Sequence, residues 1–327
     1  MVDLRPGAYV ITFSLPGFST VRRDGIELPS EFTATINIDL KVGSLEESIT
    51  VSGETPIVDV SSTVHTQVLN RDVLDSLPTG RTIQGVGQLV IGINLNSPDV
   101  GGSRAMQQTY MSTHGMATAN TTVMVDGMMV NGLQGDGQVQ SYFNDAMSQE
   151  VSYQTSSIGA ETSAGGVRLN MIPRDGGNRF NGNFFSAWKD GKWQGDNLTQ
   201  DLQDRGLLTR SAIERIYDFN VSQGGPIKRN KLWFFASARA WSVDAPIANT
   251  FVSDGTSEGF NNCLKLKNCP QGVDDQKIKS AMARLTWQMS PRNKLSAYFD
   301  EVDKYRDRKS TRLNSSHIQK SRMPSSA

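Results

Sequence analysis

Few residues in this 327-residue chain have the type and spacing that covalent chemistry requires. The three histidines, His65, His114 and His317, lie far apart, and none opens an HxxE or HExxH zinc pattern. No catalytic residue, metal site or cofactor is therefore expected, and the chain does not read as an enzyme. His114 reads as a satisfied interior side chain rather than a ligand or gate. Cys263 and Cys269 share the short segment CLKLKNC, with no other sulfur or suitable histidine nearby, and read as a local disulfide in an exported loop. Gly135-Asp136-Gly137 lies in a Gly/Gln-rich loop without the strand–glycine–helix context of a phosphate cradle. What remains is main-chain chemistry. Glu46-Glu47-Ser48-Ile49-Thr50-Val51-Ser52-Gly53 alternates polar and apolar residues ahead of Pro56. Such a run offers its N–H and C=O groups either to a partner strand from another protein or to a sheet of its own domain.

The elements that would carry these segments are mostly strands. Lys plus Arg and Asp plus Glu each total 33, so no basic footprint points to nucleic acid. No apolar run reaches about 18 residues, which excludes a transmembrane helix but not barrel strands, whose apolar residues alternate. In residues 1–45, turn signals at Pro6-Gly7, Pro16-Gly17 and Asp24-Gly25 separate alternating runs, Tyr9 to Phe13 and later Phe32 to Leu40. These predict about three antiparallel strands of a half-buried sandwich. Residues 61–175 read as a small α+β domain. Asn70 caps a helix over 71–77 that ends at Pro78, Thr82–Val90 is a second helix, and strands follow at 109–113, 121–125 and 150–155. Val125-Asp126-Gly127 forms a turn; Gly165-Gly166 lead into the alternating run Val167–Ile172, which Pro173 stops. Asp175-Gly176-Gly177 is then expected to supply positive-φ turn positions.

Residues 176–306 alternate with period two in five segments. Tyr217, Phe219 and Val221 oppose Asp218, Asn220 and Ser222. Ala283 and Leu285 oppose Arg284 and Thr286, and the Phe234/Ala236 face opposes Arg239. Short connections (224–230 and 290–293) alternate with long polar ones (189–215 and 242–276), as expected of a barrel with turns on one rim and loops on the other. Trp188, Trp233, Trp241 and Trp287 near strand ends fit an aromatic girdle.

The stretch VDG followed by DAMSQEVSYQTSSIGAETSAGGVRLNMI, then the alternating start of residues 180–188, resembles the plug-to-barrel junction of a TonB-dependent outer-membrane receptor of the Oar-like subgroup. PGAYVITFSLPGFSTV resembles the end of a carboxypeptidase-regulatory-like domain, a β-sandwich without peptidase chemistry. The resemblance implies a mainly β chain. The end of a sandwich (1–45) is followed by a connector with a possible TonB box (46–60; Glu47, Ser48, Ile49, Thr50, Val51), then a plug (61–175). The first five or so strands of an incomplete transmembrane β-barrel come last (176–306). Val125, Asp126, Gly127, Gly165 and Gly166 carry the plug motif. Ser112–Gly115 keeps the motif's glycine but not its arginine, so the usual buried charge network does not carry over from that position.

The implied function is energised import, with TonB and its inner-membrane complex, outer-membrane lipid and an imported ligand as partners. An adhesion or protein-export barrel and a soluble carbohydrate-binding protein are the alternatives. Siderophore, cobalamin, glycan and peptide all stay open as cargo. A signal peptide is expected upstream of Met1, and residues 307–327 resemble a translated sequencing adapter, so the chain reads as a fragment.

Overall fold

The structure, a computed structural model, describes residues 4, 7–28, 34–42, 48–52, 65–99, 101–104, 106–132, 135, 137, 139, 141–159, 165–252, 270–291, 293–308 and 319–322. At the front, β1 (Gly7–Phe13) and β2 (Thr20–Leu28) pair antiparallel, and β3 (Ser48–Ser52) adds parallel to β2. Pro16-Gly17 makes the expected turn, with Gly17 at φ 88. Asp24-Gly25 does not. Both residues lie inside β2, where pairing jumps from Tyr9↔Ile26 to Ile11↔Arg23 and Gly25 takes φ 76. That geometry is a bulge, which bends the strand instead of reversing it. The alternation toward Leu40 is no strand either. Residues 34–41 join no ladder, and this segment meets the sheet only through the bridge Phe18↔Val42 and a hydrogen bond from Ser19 N–H to the Lys41 carbonyl, 2.9 Å. Alternation gives a segment two faces, but a strand also needs a free neighbouring edge, and β3 occupies the second edge of β2.

The central domain contains β4 (His65–Asn70), α1 (Arg71–Ser76), α2 (Ile83–Val86), β5 (Ile93–Leu95), β6 (Met111–Thr113), β7 (Thr122–Val125), β8 (Met128–Met129), β9 (Ser148–Ser156) and β10 (Arg168–Pro173). The expected cap at Asn70 forms, and Thr82, expected as the first residue of the second helix, caps that helix instead. Asn70 Oδ1 accepts from Val73 N–H at 3.0 Å and Thr82 Oγ1 from Gly85 N–H at 3.1 Å, each satisfying a helix-end donor. The second helix is a single α-turn continued by a 3-10 turn, Gly87–Leu89. The sheet runs β4-β9-β10-β7-β8, with β10 parallel to β7 and antiparallel to β9. Val125-Asp126-Gly127 is the β7–β8 turn, Asp126 and Gly127 standing at φ 51 and 80, the mirror-image conformation that suits tight hairpins. Val151, Tyr153, Leu169 and Met171 form the apolar face of this sheet, and the opposite face, with Ser152, Gln154 and Asn170, is buried as well. Tyr153 donates its hydroxyl to the Ile83 carbonyl at 2.5 Å, and burial pushes its phenol above the ordinary range.

The third unit is one antiparallel sheet in chain order: β11 (Asn181–Asp190), β12 (Arg215–Lys228), β13 (Leu232–Phe251), β14 (Gln271–Ser290), β15 (Asn293–Arg308) and β16 (Gln319–Arg322). A short helix, α3 (Gln200–Asp204), sits in the first long connection. The strands are longer than the alternation suggested, because β13 and β14 continue through polar residues to 251 and back from 271. They run 20 residues each, about twice what a tilted strand needs to cross a bilayer. β16 falls in the segment that resembles an adapter. Residues 229–231 and 291–292 make the short connections, 191–214 and 252–270 the long ones.

The two faces of this sheet differ sharply. Phe184, Phe219, Val221, Leu285, Met289 and Phe299 are exposed on the outside, while Asp218, Asn220, Ser237, Arg239 and Arg284 are buried on the inside. The expected girdle holds for Trp188 and Trp287, which are exposed. It fails for Trp241, which is 3% exposed on the inner face and packs with Met106, Val243, Ile278 and Val302. Trp233 stands half-buried at the rim of the short connections, donating its Nε1–H to Asn178 Oδ1 at 2.9 Å.

Two outcomes follow. The described sheet does not close, and β11 presents a free edge beside an apolar outer face. Residues 1–308 produced in water are expected to aggregate, so a monodisperse species unfolding cooperatively without detergent would contradict this architecture. In the complete protein in a bilayer, Ala283→Arg should cost about 2–4 kcal/mol near the midplane, measured by denaturant titration.

Candidate functional site

The inner wall of the barrel sheet and the central domain meet through charge. Arg239 on β13 is 2% exposed, and it binds Asp218 of β12 in two-point fashion, Nε to Oδ1 at 2.9 Å and Nη2 to Oδ2 at 2.6 Å. Their pairing in the ladder places them close: Asp218 lies opposite Trp241, and Asn220 opposite Arg239. The remaining Arg239 nitrogen crosses to the central domain, donating to the Arg81 carbonyl at 2.7 Å and standing 3.5 Å from Asp145 Oδ1.

Asp145 is the hub on the other side. It opens a 3-10 turn capped by Asn144, whose Oδ1 accepts from Ala146 N–H. Arg71 donates to the Asp145 main-chain carbonyl at 2.6 Å, Arg81 reaches its carboxylate at 3.2 Å, and Asn220 of β12 donates to it at 2.8 Å. Asn220 also donates to Asn144 Oδ1 at 2.7 Å. Arg71 and Arg81 share Asp75 as a second carboxylate, at 2.8 and 3.5 Å. Arg81 lies over the Phe185 ring, 3.7 Å from its centre. Arg71, Arg81 and Arg239 thus balance Asp75, Asp145 and Asp218. That neutrality matters, because a buried ion left without its partner is costly.

A second cluster lies nearer the short connections. Arg284 of β14, also 2% exposed, donates to Asp175 at 2.7 Å and Asp126 at 3.1 Å. Thr286 and Lys294 add bonds to Asp175 of 2.9 and 3.1 Å. The motif residue Asp126 therefore turns the β7–β8 hairpin and also holds the wall. Asp175-Gly176-Gly177 departs from expectation, since none of the three takes a positive φ. Gly176 is needed for closeness instead: a β-carbon there would run into the Phe234 carbonyl of β13. Gly166 has a similar reason, its backbone lying against Asn120, to whose carbonyl it donates at 3.0 Å. Gly165 is exposed and packs only near Met116.

Toward the long connections, Lys304 of β15 donates to the Met106 carbonyl at 2.6 Å and to the Tyr142 hydroxyl, with its ammonium 4.0 Å from that ring's centre. Burial pushes the Tyr142 phenol up to about 12, against the opposing pull of Arg306. A cavity of about 30 Å³, room for about one water, lies between Gln84, Gln107, Thr109, Ser141, Arg239 and Trp241.

The other expected residues lie elsewhere. Ser48–Ser52, including Ile49, Thr50 and Val51, is the parallel edge strand of the front sheet. Glu46, Glu47 and Gly53 fall outside the described residues, as do Asp136, Cys263 and Cys269. His114 is not interior. It is exposed on a turn at φ 49, followed by Gly115 at φ 75. The charge network that Ser112–Gly115 does not provide is built instead by Arg71, Arg81 and Asp145. Sequence reasoning missed these three; the one available signal was the polar inner face of β12 and β13, which requires polar partners.

No family model matches the chain. It is 27% identical over 246 residues to the TonB-dependent transporter Oar of Myxococcus xanthus, an alignment covering 72% of this chain and 22% of that protein. The chain thus spans about a fifth of its curated relative's length. The outer membrane transporter YddB from Escherichia coli superposes with a TM-score of 0.53 at 12% identity, over 74% of this chain and 33% of that one. The siderophore receptor PirA from Acinetobacter baumannii superposes at 0.48 with 16% identity, over 74% and 32%. These likenesses bear out the expected resemblance and the mainly β fold with part of a barrel.

Removing the hub tests the seam. In the complete protein, Asp145→Leu leaves three guanidinium groups facing two carboxylates and should loosen the central domain by about 3–5 kcal/mol. Hydrogen exchange across residues 141–155 reads this directly. Lys192→Gln, at an exposed loop position, should change it by less than about 0.5 kcal/mol.

Proposed function

We propose that the complete protein is an energised importer of the outer membrane, with the central domain as a plug that keeps a wide barrel shut. One observation carries the reading. The inner wall offers two buried guanidinium groups, Arg239 and Arg284, whose partners Asp145, Asp126 and Asp175 all belong to or adjoin the central domain. A plug held through ions and hydrogen bonds can part from the wall and have its polar groups taken up by water. An apolar seam would expose oily surface at each opening. No bond is made or broken in such a cycle. The work is gating, and the likeness to the Oar and YddB transporters supports this class of activity.

Coupling to TonB is assigned here to Glu47–Val51. β3 is an edge strand of its sheet, so it has a ladder edge to offer, and strand addition rests on main-chain donors more than on side-chain identity.

The test uses the complete protein in cells, with uptake, surface ligand binding and protein level measured together. Ile49→Pro removes a donor and should abolish uptake while binding and protein level persist. Ser48→Ala and Thr50→Ala should be milder. Normal uptake by well-folded Ile49→Pro protein removes the coupling role from this segment. Ligand binding without any uptake in the unaltered protein would favour the adhesion or export reading.

A further inference from the structure

The rim that carries the short connections holds a cleft that the gating cycle does not use. It measures about 460 Å³ and is lined by Asn178, Arg179, Phe180, Pro226, Ile227 and Arg229. We propose that it binds the headgroup phosphate of an anionic phospholipid, with the lipid's upper acyl chain along Phe180 and Ile227. The assignment rests on the barrel reading above, which puts this rim at the inner leaflet.

Its floor is fixed. Asn178 Nδ2 donates to Asn230 Oδ1 at 2.6 Å, while Asn178 Oδ1 accepts from Asn230 N–H at 2.8 Å and from Trp233 Nε1 at 2.9 Å. Asn230 can hold this position because it stands at φ 59, a conformation asparagine tolerates better than most residues. These bonds clamp the strand entering the barrel onto the β12–β13 turn. Arg179 and Arg229, each next to one of the clamped asparagines, are thereby held at one cleft. The Phe180 ring lies against the bare backbone of Gly225, where a β-carbon would strike it, and tilts against Phe234 with centroids 6.3 Å apart.

Charge and polarity select the occupant. Arg179, Lys228, Arg229 and Lys231 are all exposed. Asp175, the acidic residue closest to Arg179 in sequence, is engaged by Arg284 and Lys294. Neither Arg179 nor Arg229 is ion-paired among the described residues. Two guanidinium groups suit the oxygens of a phosphodiester, which planar forks bind in two-point fashion. Phe180 and Ile227, 67% and 58% exposed, supply an apolar wall next to those cations. The outward row Phe180, Phe184 and Trp188 then leads from this cleft along the outer face. A dissolved anion would use the arginines but not that wall; an anionic lipid uses both.

The experiment takes the complete protein, folded in micelles and checked for the gel-mobility shift on heating that reports an intact barrel. Phosphatidylglycerol retained per protein is counted by native mass spectrometry, against phosphatidylcholine and against added inorganic phosphate. Arg179→Gln with Arg229→Gln should lower phosphatidylglycerol retention by roughly 30-fold, about fivefold per arginine, and lower that of phosphatidylcholine, whose phosphate is neutralised by its own choline cation, far less. Lys279→Gln, an outward cation midway along β14, should have no such effect. Equal retention by the double variant, or an equal loss in Lys279→Gln, overturns the site. Displacement by millimolar inorganic phosphate overturns the lipid as its occupant. Absence of the heat shift in the unaltered protein overturns the barrel reading itself, and so is distinguishable from failure of the cleft.

Discussion

The arrangement depends on keeping buried charge neutral where two units meet. Arg239 is enclosed by Asp218 from its own sheet and by Asp145 from the central domain, and neither carboxylate suffices for the geometry alone. A wall that faces lipid on one side alternates, so its other face is polar and must be hydrated or matched. Here much of it is matched. Asn220, Ser237, Arg239, Arg284 and Thr286 each bond to Asn144, Asp145, Arg81, Asp126 or Asp175. The position of the central domain is thus dictated by the inner face of β12–β14, and its apolar core, which includes Phe235 and Met282, completes the seal.

Alternation is why so much of the barrel was legible in the sequence. Phe219 and Val221 against Asp218 and Asn220, or Leu285 against Arg284, identify both faces from spacing alone, since a strand inverts every second side chain. Local hydrogen bonding made the Asn70 cap and the Asp126-Gly127 turn readable as well. Each of these signals acts within four residues.

What escaped reading depends on distant segments. Gly176 looks like a turn residue, yet its reason is the carbonyl of Phe234, 58 positions away by subtraction of the two numbers. Trp241 looks like a rim residue until Met106 is brought against it. The run toward Leu40 has strand periodicity and no ladder to join, while Ser48–Ser52, shorter and equally patterned, has one. Arg71, Arg81 and Asp145 carry no local mark at all, because their meaning lies in mutual charge compensation.

The clamp at Asn178 has a mechanical consequence. It pins the chain just beyond β10, and β10 is the middle strand of the central sheet, whereas β4 lies at that sheet's margin. Tension applied ahead of His65 would therefore enter through a peripheral strand and leave through an anchored one. The β4–β9 ladder, already irregular between His65 and Thr66, would bear the strain first. Such a sheet would fail from one side, unzipping toward a fixed centre rather than leaving its housing as a rigid body.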